Sequence, residues 1–299
     1  MTRHFLIGSE LSPEELRAVI ERAGELKSAP LSSDALAKRT VALIFQRPST
    51  RTRVSFEAGI AELGGHPMVL RTEDLQLSRG ESVRDTAYVL SRHVAAICIR
   101  TGPDELVAEL ASHATVPVVN MLTAENHPCQ ALADLLTLRE EFGRLEGLKL
   151  AYVGDGNNVA RSLAIVGAQA GVEVRIASPA AYSLEEPVAE AILTDDPRAA
   201  VQGADAVYTD VWVSMSDDPE SAAHRVQELS PYRLDDRLLD QAAPHAIAMH
   251  CLPAHPGEEI TAEVLYGQRQ RIWQQAENRR HAQKALLEYL AVPAPLAVE

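Results

Sequence analysis

Short apolar runs alternate with amphipathic stretches along most of this 299-residue chain. The apolar runs predict strands near residues 40–45, 67–71, 94–99 and 116–119, and again near 148–153, 172–177, 205–209 and 245–249. The amphipathic stretches predict helices near residues 51–63, 82–92, 103–112, 128–142 and 276–291. Neighbouring parallel strands need a long crossover, which a helix supplies. We therefore expect an α/β fold of two doubly wound parallel-sheet domains, divided at the polar, glycine-punctuated segment 140–147.

Composition narrows the class of protein. Acidic residues outnumber basic ones by 42 to 28, which argues against nucleic acid as the main partner but not against a small anion bound by local charge. The three cysteines form no C-x-x-C pair, which argues against a disulfide framework or a zinc cage and suits a reducing compartment. We see no signal peptide and no run near the ~20 apolar residues of a membrane span, and expect a cytoplasmic protein.

The most unusual polar cluster is the segment 47–53, which reads R-P-S-T-R-T-R. It lies between an apolar run and a helical pattern, and it holds three arginines and three hydroxyls but no acid. A turn of this kind aims backbone N–H groups and the positive end of a helix dipole at an anion. A helix start capped by a hydroxyl is the simpler explanation, but it does not account for the arginines. The cluster predicts a site for a phosphate-bearing ligand.

Further polar clusters follow the other apolar runs. They are Arg100, residues 125–130, residues 154–158, residues 210–215 and residues 250–253. Taken singly, each has an ordinary explanation, such as a loop-capping Asp210 or a buried, apolar Cys251. Ligands of open α/β sheets bind outside the carboxyl ends of the strands. The clusters together therefore predict one cleft between the two domains.

Two of these clusters carry more specific hypotheses. His127 precedes Pro128 at a predicted helix start, where the helix dipole lowers the imidazole pKa and favours the neutral ring, which can donate to a carbonyl. A lone histidine is, however, more often structural. The turn at 154–158 resembles part of a dinucleotide fingerprint, but Val159 replaces the third glycine and no acidic residue closes the next strand. A nicotinamide site is therefore disfavoured.

Over essentially its full length the chain resembles the ornithine carbamoyltransferases. The resemblance rests on S-T-R-T-R at 49–53, H-P-x-Q at 127–130, D-x-x-x-S-M at 210–215 and H-C-L-P at 250–253. The first two motifs are shared across the transcarbamylases, whereas the last two separate ornithine enzymes from aspartate enzymes. The chain departs from the family pattern at Ser216, where glycine is common, and at Gln46-Arg47, where an acid and a lysine are expected.

The resemblance implies transfer of the carbamoyl group of carbamoyl phosphate to the δ-amine of L-ornithine, giving L-citrulline and phosphate in arginine biosynthesis. It implies no cofactor, no metal, and no nucleic-acid or membrane partner. It also implies a homotrimer or a multiple of trimers, in which the loop 75–82 reaches into a neighbour's site. The last helix is expected to return to the first domain. Residues 1–142 plus 272–299 would then form the carbamoyl phosphate-binding domain and residues 143–271 the ornithine-binding domain.

The expected site residues follow from the same resemblance. The carbamoyl phosphate ligands are Ser49, Thr50, Arg51, Thr52, Gln76, Arg100, His127, Gln130 and Arg279. The ornithine ligands are Asn158, Asp210, Ser214, Met215, Cys251 and Leu252. The residues expected to act in catalysis are Arg51, Arg100, His127 and Cys251. Because the δ-amine resembles a lysine with a pKa of about 10.4, we expect desolvation and nearby arginines to lower that pKa.

Three other functions stay open on the sequence. A transcarbamylase acting on aspartate, putrescine or an acylated ornithine would share the first two motifs, and a panel of acceptors would identify it. A nicotinamide dehydrogenase built on the turn at 154–158 would bind NADH. A catalytically silent binding or regulatory subunit would bind the substrates without forming citrulline.

Overall fold

The computed structural model describes residues 2–186, 188–213 and 219–291. The chain divides into two compact units, Met1–Leu136 with Glu277–Glu299 and Thr137–Ala276. Both changeovers fall inside helices, the first in α5 (Pro128–Phe142) and the second in α11 (Ile272–Ala291). Each unit has its own parallel sheet.

The first unit contains a four-stranded parallel sheet in the order β2-β1-β3-β4. Its strands are β1 (Thr40–Phe45), β2 (His66–Arg71), β3 (Ala96–Arg100) and β4 (Val118–Leu122). Its other helices are α1 (Pro13–Ser28), α2 (Thr50–Glu62), α3 (Val83–Leu90) and α4 (Asp104–His113), with 3₁₀ turns at Thr72–Asp74 and Gln76–Arg79. The central strands β1 and β3 are apolar and buried, as expected for strands covered on both faces.

The second unit contains a five-stranded parallel sheet in the order β7-β6-β5-β8-β9. Its strands are β5 (Lys149–Val153), β6 (Glu173–Ala177), β7 (Ile192–Thr194), β8 (Ala206–Thr209) and β9 (Ile247–His250). Its other helices are α6 (Asn158–Gln169), α7 (Pro197–Val201), α8 (Pro219–Leu229), α9 (Asp236–Leu239) and α10 (Ala262–Leu265), with 3₁₀ turns at Ala180–Tyr182 and Ser230–Tyr232.

Helix α11 is anchored in the first unit by a buried lysine. The ammonium of Lys284 is fully buried and donates to Glu62 Oε2 at 2.7 Å and to the carbonyl of Pro30. A charge buried in this way is tolerated because it is paired and hydrogen-bonded. Gly59 of α2 leaves room for the lysine stem, since a Cβ there would lie 3.1 Å from Lys284 Cγ. The expected return of the last helix to the first domain is therefore confirmed.

The predicted α/β fold of two doubly wound parallel sheets is confirmed, and each predicted strand and helix has a counterpart. Some details differ from the prediction: β4 spans Val118–Leu122 rather than 116–119, and the sequence predicted no ranges for the helices α6 to α10. Arg100 is the last residue of β3 rather than the residue after it, and α11 begins at Ile272 rather than near residue 276. Strand β7 was not predicted, because three half-exposed residues give no periodic pattern. No helix among the described residues has the length and apolar character needed to cross a bilayer.

Candidate active site

Four of the six polar clusters lie where the strand order of a sheet reverses, and the other two follow the edge strands β4 and β9. In the first unit the reversal falls between β1 and β3, and in the second between β5 and β8. The two strands on either side of a reversal send their crossovers to opposite faces, which leaves a crevice at their carboxyl ends. The turns after β1 and β5, Arg100 at the end of β3, and Asp210 after β8 all occupy these positions. The expectation that the clusters mark ligand-binding ends of the sheets agrees with this topology.

The turn after β1 leads directly into α2. Ser49 is the N-cap of this helix, and its hydroxyl accepts from the Thr52 backbone N–H at 3.3 Å. Thr50 and Arg51 are exposed, whereas Thr52 is buried. The first turn carries no acidic residue, so nothing in it neutralises the positive end of the helix. This helix start is suited to an anion.

Arg279 of α11 contacts three other predicted residues, Thr52, Gln130 and His127. Its Nη2 donates to the Thr52 hydroxyl at 2.8 Å, and its Nη1 donates to the Gln130 amide oxygen. Arg100 Nη1 also donates to the Thr52 hydroxyl, at 3.4 Å. The Gln130 amide nitrogen donates to Asp134 Oδ1 at 2.8 Å, which fixes the orientation of the amide. Because the Thr52 hydroxyl accepts twice, its hydrogen can be donated to a bound oxygen.

His127 lies beside this network, directly before the start of α5. Burial lowers its pKa well below the ordinary value, and the nearby Arg279 and Arg100 lower it further. Its Nε2 faces Arg279 Nη1 at 3.5 Å, and an arginine can only donate. Burial and the two neighbouring arginines therefore favour the neutral ring, which agrees with the contact from Arg279 to Nε2. The neutral form agrees with the expectation from sequence, although burial is the largest cause.

A cavity of about 510 Å³ opens beside Ser49 and Thr50. Three of its lining residues are arginines, namely Arg47, Arg53 and Arg71.

Gln76 is exposed in its 3₁₀ turn, and the contacts found in the described part of the chain do not join its side chain to the Arg279 network. The first unit thus brings together Thr52, Arg100, His127, Gln130 and Arg279, with Ser49 joined through the Thr52 backbone.

Gln46 and Arg47, where the chain departs from the family pattern, both contact residues 100–102. The amide oxygen of Gln46 accepts from the hydroxyl of Thr101, and the Gln46 backbone N–H donates to the Arg100 carbonyl at 3.0 Å. The Arg47 guanidinium lies against Gly102, where an added Cβ would be 2.9 Å from Arg47 Nη2. The two residues therefore tie the end of β1 to the segment that follows β3.

In the second unit, Asp210 connects two further clusters. Asn157 is the N-cap of α6, and its side-chain oxygen accepts from the backbone N–H groups of Val159 at 2.9 Å and Ala160 at 3.2 Å. Its amide nitrogen donates to Asp210 Oδ2 at 2.8 Å. The thiol of Cys251 donates to the other oxygen of the same carboxylate, Asp210 Oδ1, at 2.8 Å. Three strand ends are thus joined through one buried carboxylate.

The glycines of the turn after β5 are explained by packing within the protein. Gly154 has a φ of 128°, and a Cβ there would lie 3.0 Å from Trp212 Nε1. A Cβ on Gly156 would lie 2.7 Å from the Tyr182 carbonyl oxygen. Packing within the protein accounts for both glycines, so their presence adds no support for a dinucleotide site.

Helix α8 is tied to the same turn. The Arg225 guanidinium donates to the Asp155 carboxylate and to the Trp212 carbonyl, and it lies 4.6 Å from the centre of the Tyr182 ring. Asn158 is the first residue of α6, and Leu252 follows Cys251 directly. Ser214 and Met215 lie outside the described residues.

Among the described residues of this unit, two groups of side chains offer metal-ligand atoms within 4.8 Å of one another. They are Asp210 with His250 and Cys251, and His255 with Glu258 and Glu259. In the first group, His250 already uses Nδ1 to accept from the Leu252 N–H at 2.8 Å and Nε2 to contact Glu259 Oε1 at 3.1 Å. A histidine engaged on both nitrogens has no lone pair left for a metal. The geometry of this group suits a hydrogen-bonded cluster.

Several residues of the two clusters were not among the expected substrate ligands. Asn157 and Asp134 had local signals, the first as a helix-capping asparagine and the second one helical turn after Gln130. Arg225 and Glu259 had none, because their partners Asp155 and His250 lie elsewhere in the sequence and their own neighbourhoods are ordinary helix and loop.

Comparisons with known proteins agree with this geometry. The sequence model of the aspartate/ornithine carbamoyltransferase carbamoyl-P binding domain matches residues 3–140, and that of the Asp/Orn binding domain matches residues 146–290. The chain is 52% identical over 303 residues to an ornithine carbamoyltransferase of Acidothermus cellulolyticus, covering 97% of each chain. It is 50% identical over 298 residues to that of Bacillus subtilis, covering 96% of this chain and 93% of the relative. The crystal structure of ornithine carbamoyltransferase from Thermus thermophilus superposes with a TM-score of 0.91 at 42% identity, covering 98% of this chain and 100% of the other.

Proposed function

Because the chain belongs to the aspartate/ornithine carbamoyltransferase family, we propose that it is an ornithine carbamoyltransferase. It transfers the carbamoyl group of carbamoyl phosphate to the δ-amine of L-ornithine and releases L-citrulline and phosphate. The observation that carries the proposal is the buried network in which Arg279 and Arg100 both donate to the Thr52 hydroxyl. Thr52 lies in the first turn of α2, which holds no acidic residue to neutralise the positive end of the helix. Guanidinium, hydroxyl and backbone N–H donors at a helix start are the groups that bind a phosphorylated ligand.

Carbamoyl phosphate binds in the first unit under this proposal. Its phosphate accepts from the start of α2, through Ser49, Thr50, Arg51 and Thr52. Its carbamoyl group contacts Arg100, His127, Gln130 and Arg279. Support comes from the mutual contacts of the buried members of this set and from the neutral state of His127, which lets the ring donate without adding charge.

Ornithine binds in the second unit, with Asn158, Asp210, Ser214 and Met215 at its amino-acid end and Cys251 and Leu252 beside its δ-amine. A carboxylate has about four lone-pair positions, so Asp210 can accept from the α-ammonium in addition to Asn157 and Cys251. The direct contact between Asp210 and the Cys251 thiol supports a common site for the two ends of the amino acid.

In the reaction, the neutral δ-amine attacks the carbamoyl carbon, and the bond from that carbon to the phosphate oxygen breaks. The amine loses one proton, which the departing phosphate takes up. Negative charge that develops on the carbonyl oxygen is stabilised by Thr52, Arg100 and His127, and each donor of this kind is typically worth ~3 kcal/mol. The guanidinium groups also disfavour a cation nearby, which keeps the amine in its reactive neutral form. These residues account for the chemistry without a metal or cofactor.

We further propose a homotrimer, or a multiple of trimers, in which the 75–82 segment of one subunit brings Gln76 to a neighbour's Ser49–Thr52 turn. The exposed Gln76 and the arginine-lined cavity beside Ser49 support this arrangement. We place the carbamoyl phosphate-binding domain at residues 1–142 plus 272–299 and the ornithine-binding domain at 143–271, since α5 ends at Phe142 and α11 begins at Ile272. The proposed setting is cytoplasmic arginine biosynthesis.

The test is a colorimetric assay of purified protein with carbamoyl phosphate and, separately, ornithine, aspartate and putrescine. We expect citrulline from ornithine and no carbamoylated product from the other acceptors.

Arg51→Ala should reduce kcat/KM by about 100-fold or more without unfolding the protein, because it removes a charged phosphate ligand. Arg92→Ala, which removes an exposed arginine after α3, is the control. Carbamoylation of another acceptor, binding without turnover, or an active Arg51→Ala variant would each reject the assignment.

A further inference from the structure

We propose that Glu259 and His250 are positioning residues for the ornithine end of the site, acting by holding the Cys251–Leu252 peptide in one orientation. The inference rests on the proposed function for its substrate, but its geometry is contained in the second unit. Neither residue is among the expected substrate ligands. The proposal follows from four sets of contacts around the turn after β9.

The imidazole of His250 is held in one tautomer. Its side chain is completely buried, and its Nδ1 accepts from the Leu252 backbone N–H at 2.8 Å. A backbone N–H can donate only to a ring nitrogen that carries no hydrogen, so the hydrogen of the neutral ring lies on Nε2. Nε2 lies 3.1 Å from Glu259 Oε1 and donates to it. A carboxylate, an imidazole and a backbone amide thus form one continuous chain of hydrogen bonds.

Glu259 is a fully buried carboxylate directed at the loop. Its Oε1 also accepts from the His255 backbone N–H, and its own carbonyl accepts from the Leu234 N–H at 2.8 Å. Among the described residues, both of its ion-pair partners are histidines, His250 and His255. Burying a carboxylate costs free energy that an apolar side chain of similar volume would avoid. The gain for this loop is a defined orientation of the groups that the carboxylate binds.

The held peptide adjoins the proposed amine-binding position. Leu252 has a φ of 62°, a left-handed conformation that is uncommon for a branched side chain. The bond from its N–H to His250 Nδ1 fixes the plane of the Cys251–Leu252 peptide, because a peptide unit is planar. The Cys251 thiol in turn donates to Asp210. Rotation of the His250 ring would therefore release the Cys251–Leu252 peptide, next to the thiol that Asp210 binds.

The last set of contacts holds the end of β9 independently of the His250 imidazole. The His250 backbone N–H donates to Gln275 Oε1 at 2.9 Å, and the Gln275 amide nitrogen donates to the Tyr208 hydroxyl at 3.0 Å. These bonds fix the backbone of β9 but not the imidazole. Loss of Glu259 should therefore leave the sheet in place and free only the ring and the turn that it holds.

The test combines two substitutions. Glu259→Gln preserves side-chain volume but replaces the carboxylate with an amide that can present either end to the ring. His250→Asn keeps an acceptor for the N–H two residues on, as asparagine does in many turns, but removes the link to Glu259. We expect Glu259→Gln to lower kcat/KM for ornithine about tenfold or more in the native background. In the His250→Asn background the same change should lower it by less than about twofold, because the effects of residues that act as a unit are not additive. The dissociation constant for carbamoyl phosphate should change by less than about twofold in all variants.

Glu258→Gln, a change of the neighbouring glutamate, is the matched control. Nitrogen-15 NMR of labelled histidine supplies a readout without turnover, and it should show the Nε2–H tautomer of His250 in the native protein and a mixture in Glu259→Gln. Unchanged ornithine kinetics and an unchanged tautomer in folded Glu259→Gln would overturn the inference, as would equal costs in the two backgrounds. If Glu259→Gln fails to fold, His250→Asn and His250→Ala decide, and equal activity of these two variants overturns it. A native protein that shows the expected tautomer change but makes no citrulline rejects the proposed function alone.

Discussion

Arg279 contacts Thr52, His127 and Gln130, residues that precede it by at least 149 positions. Its side chain is 3% exposed, so its charge is held mainly by these contacts rather than by water. The two amino groups of the guanidinium point to different partners, which a lysine ammonium cannot reproduce from one position. Arg279→Lys should therefore lower kcat/KM by about 30- to 150-fold, corresponding to ~2–3 kcal/mol of lost transition-state binding.

Steady-state kinetics with varied carbamoyl phosphate would measure this loss. Arg280→Lys is the matched control, because Arg280 is the next residue of α11 but lies partly exposed and pairs with Glu62 at 3.1 Å. An Arg279→Lys enzyme with native kcat/KM would show that the bidentate contacts do not serve catalysis.

The site residues differ in how much of their role their own sequence neighbourhood reveals. Thr52, His127 and Asp210 stand beside strand ends within short polar clusters, so local pattern alone marked them. Arg279 had no such signal, since nothing in its neighbourhood distinguishes it from Arg280, and only the family resemblance singled it out. Glu259 was not predicted at all, because its role depends on a contact with His250 that only the folded loop creates.

At the scale of single elements, the start of α6 combines a structural and a functional contact in one side chain. The oxygen of Asn157 caps the helix, whereas its amide nitrogen donates to Asp210. Asn157→Ser keeps a capping oxygen and removes the amide donor, and Asn157→Ala removes both. We expect Asn157→Ser to retain the free energy of unfolding within about 0.5 kcal/mol and Asn157→Ala to lose ~1 kcal/mol.

Both variants should raise the KM for ornithine about tenfold, because Asp210 loses a hydrogen bond to its charged group. Urea unfolding and ornithine kinetics on the same preparations separate the two effects. A serine variant with native KM would confine Asn157 to the capping role.

The elements themselves were predicted to different degrees for a physical reason. Central strands such as β1 and β5 are buried on both faces, so they appear in the sequence as continuous apolar runs. The edge strand β7 has only three residues, and Ile192 at its start is 50% exposed. The helices α9 and α10 have four residues each, which is too short for a helical period to be recognised.

Across the whole molecule, the histidines with shifted pKa values are concentrated in one unit. Burial is the largest cause of the lowered pKa of His4, His127 and His281, and all three lie in the first unit. Each binds a proton less readily in the folded chain than in the unfolded chain, whose histidine pKa is about 6.5. The unfolded chain therefore carries more protons below this value, and the free energy of unfolding falls as the pH decreases from about 6.5 toward the folded-state pKa values.

We expect the free energy of unfolding of the native protein to fall between about pH 7 and pH 5.5. It should fall less in His127→Gln and in His281→Gln, because each variant removes one group that the unfolded chain protonates more readily. Urea unfolding followed by far-ultraviolet circular dichroism at several pH values would measure the slopes. His66→Gln, which replaces an exposed histidine of β2, is the control. The two tryptophans, Trp212 and Trp273, both lie in the second unit, so their fluorescence gives a separate signal for that unit. If both histidine variants kept the native slope, proton binding by His127 and His281 would not be what couples the stability of the first unit to pH.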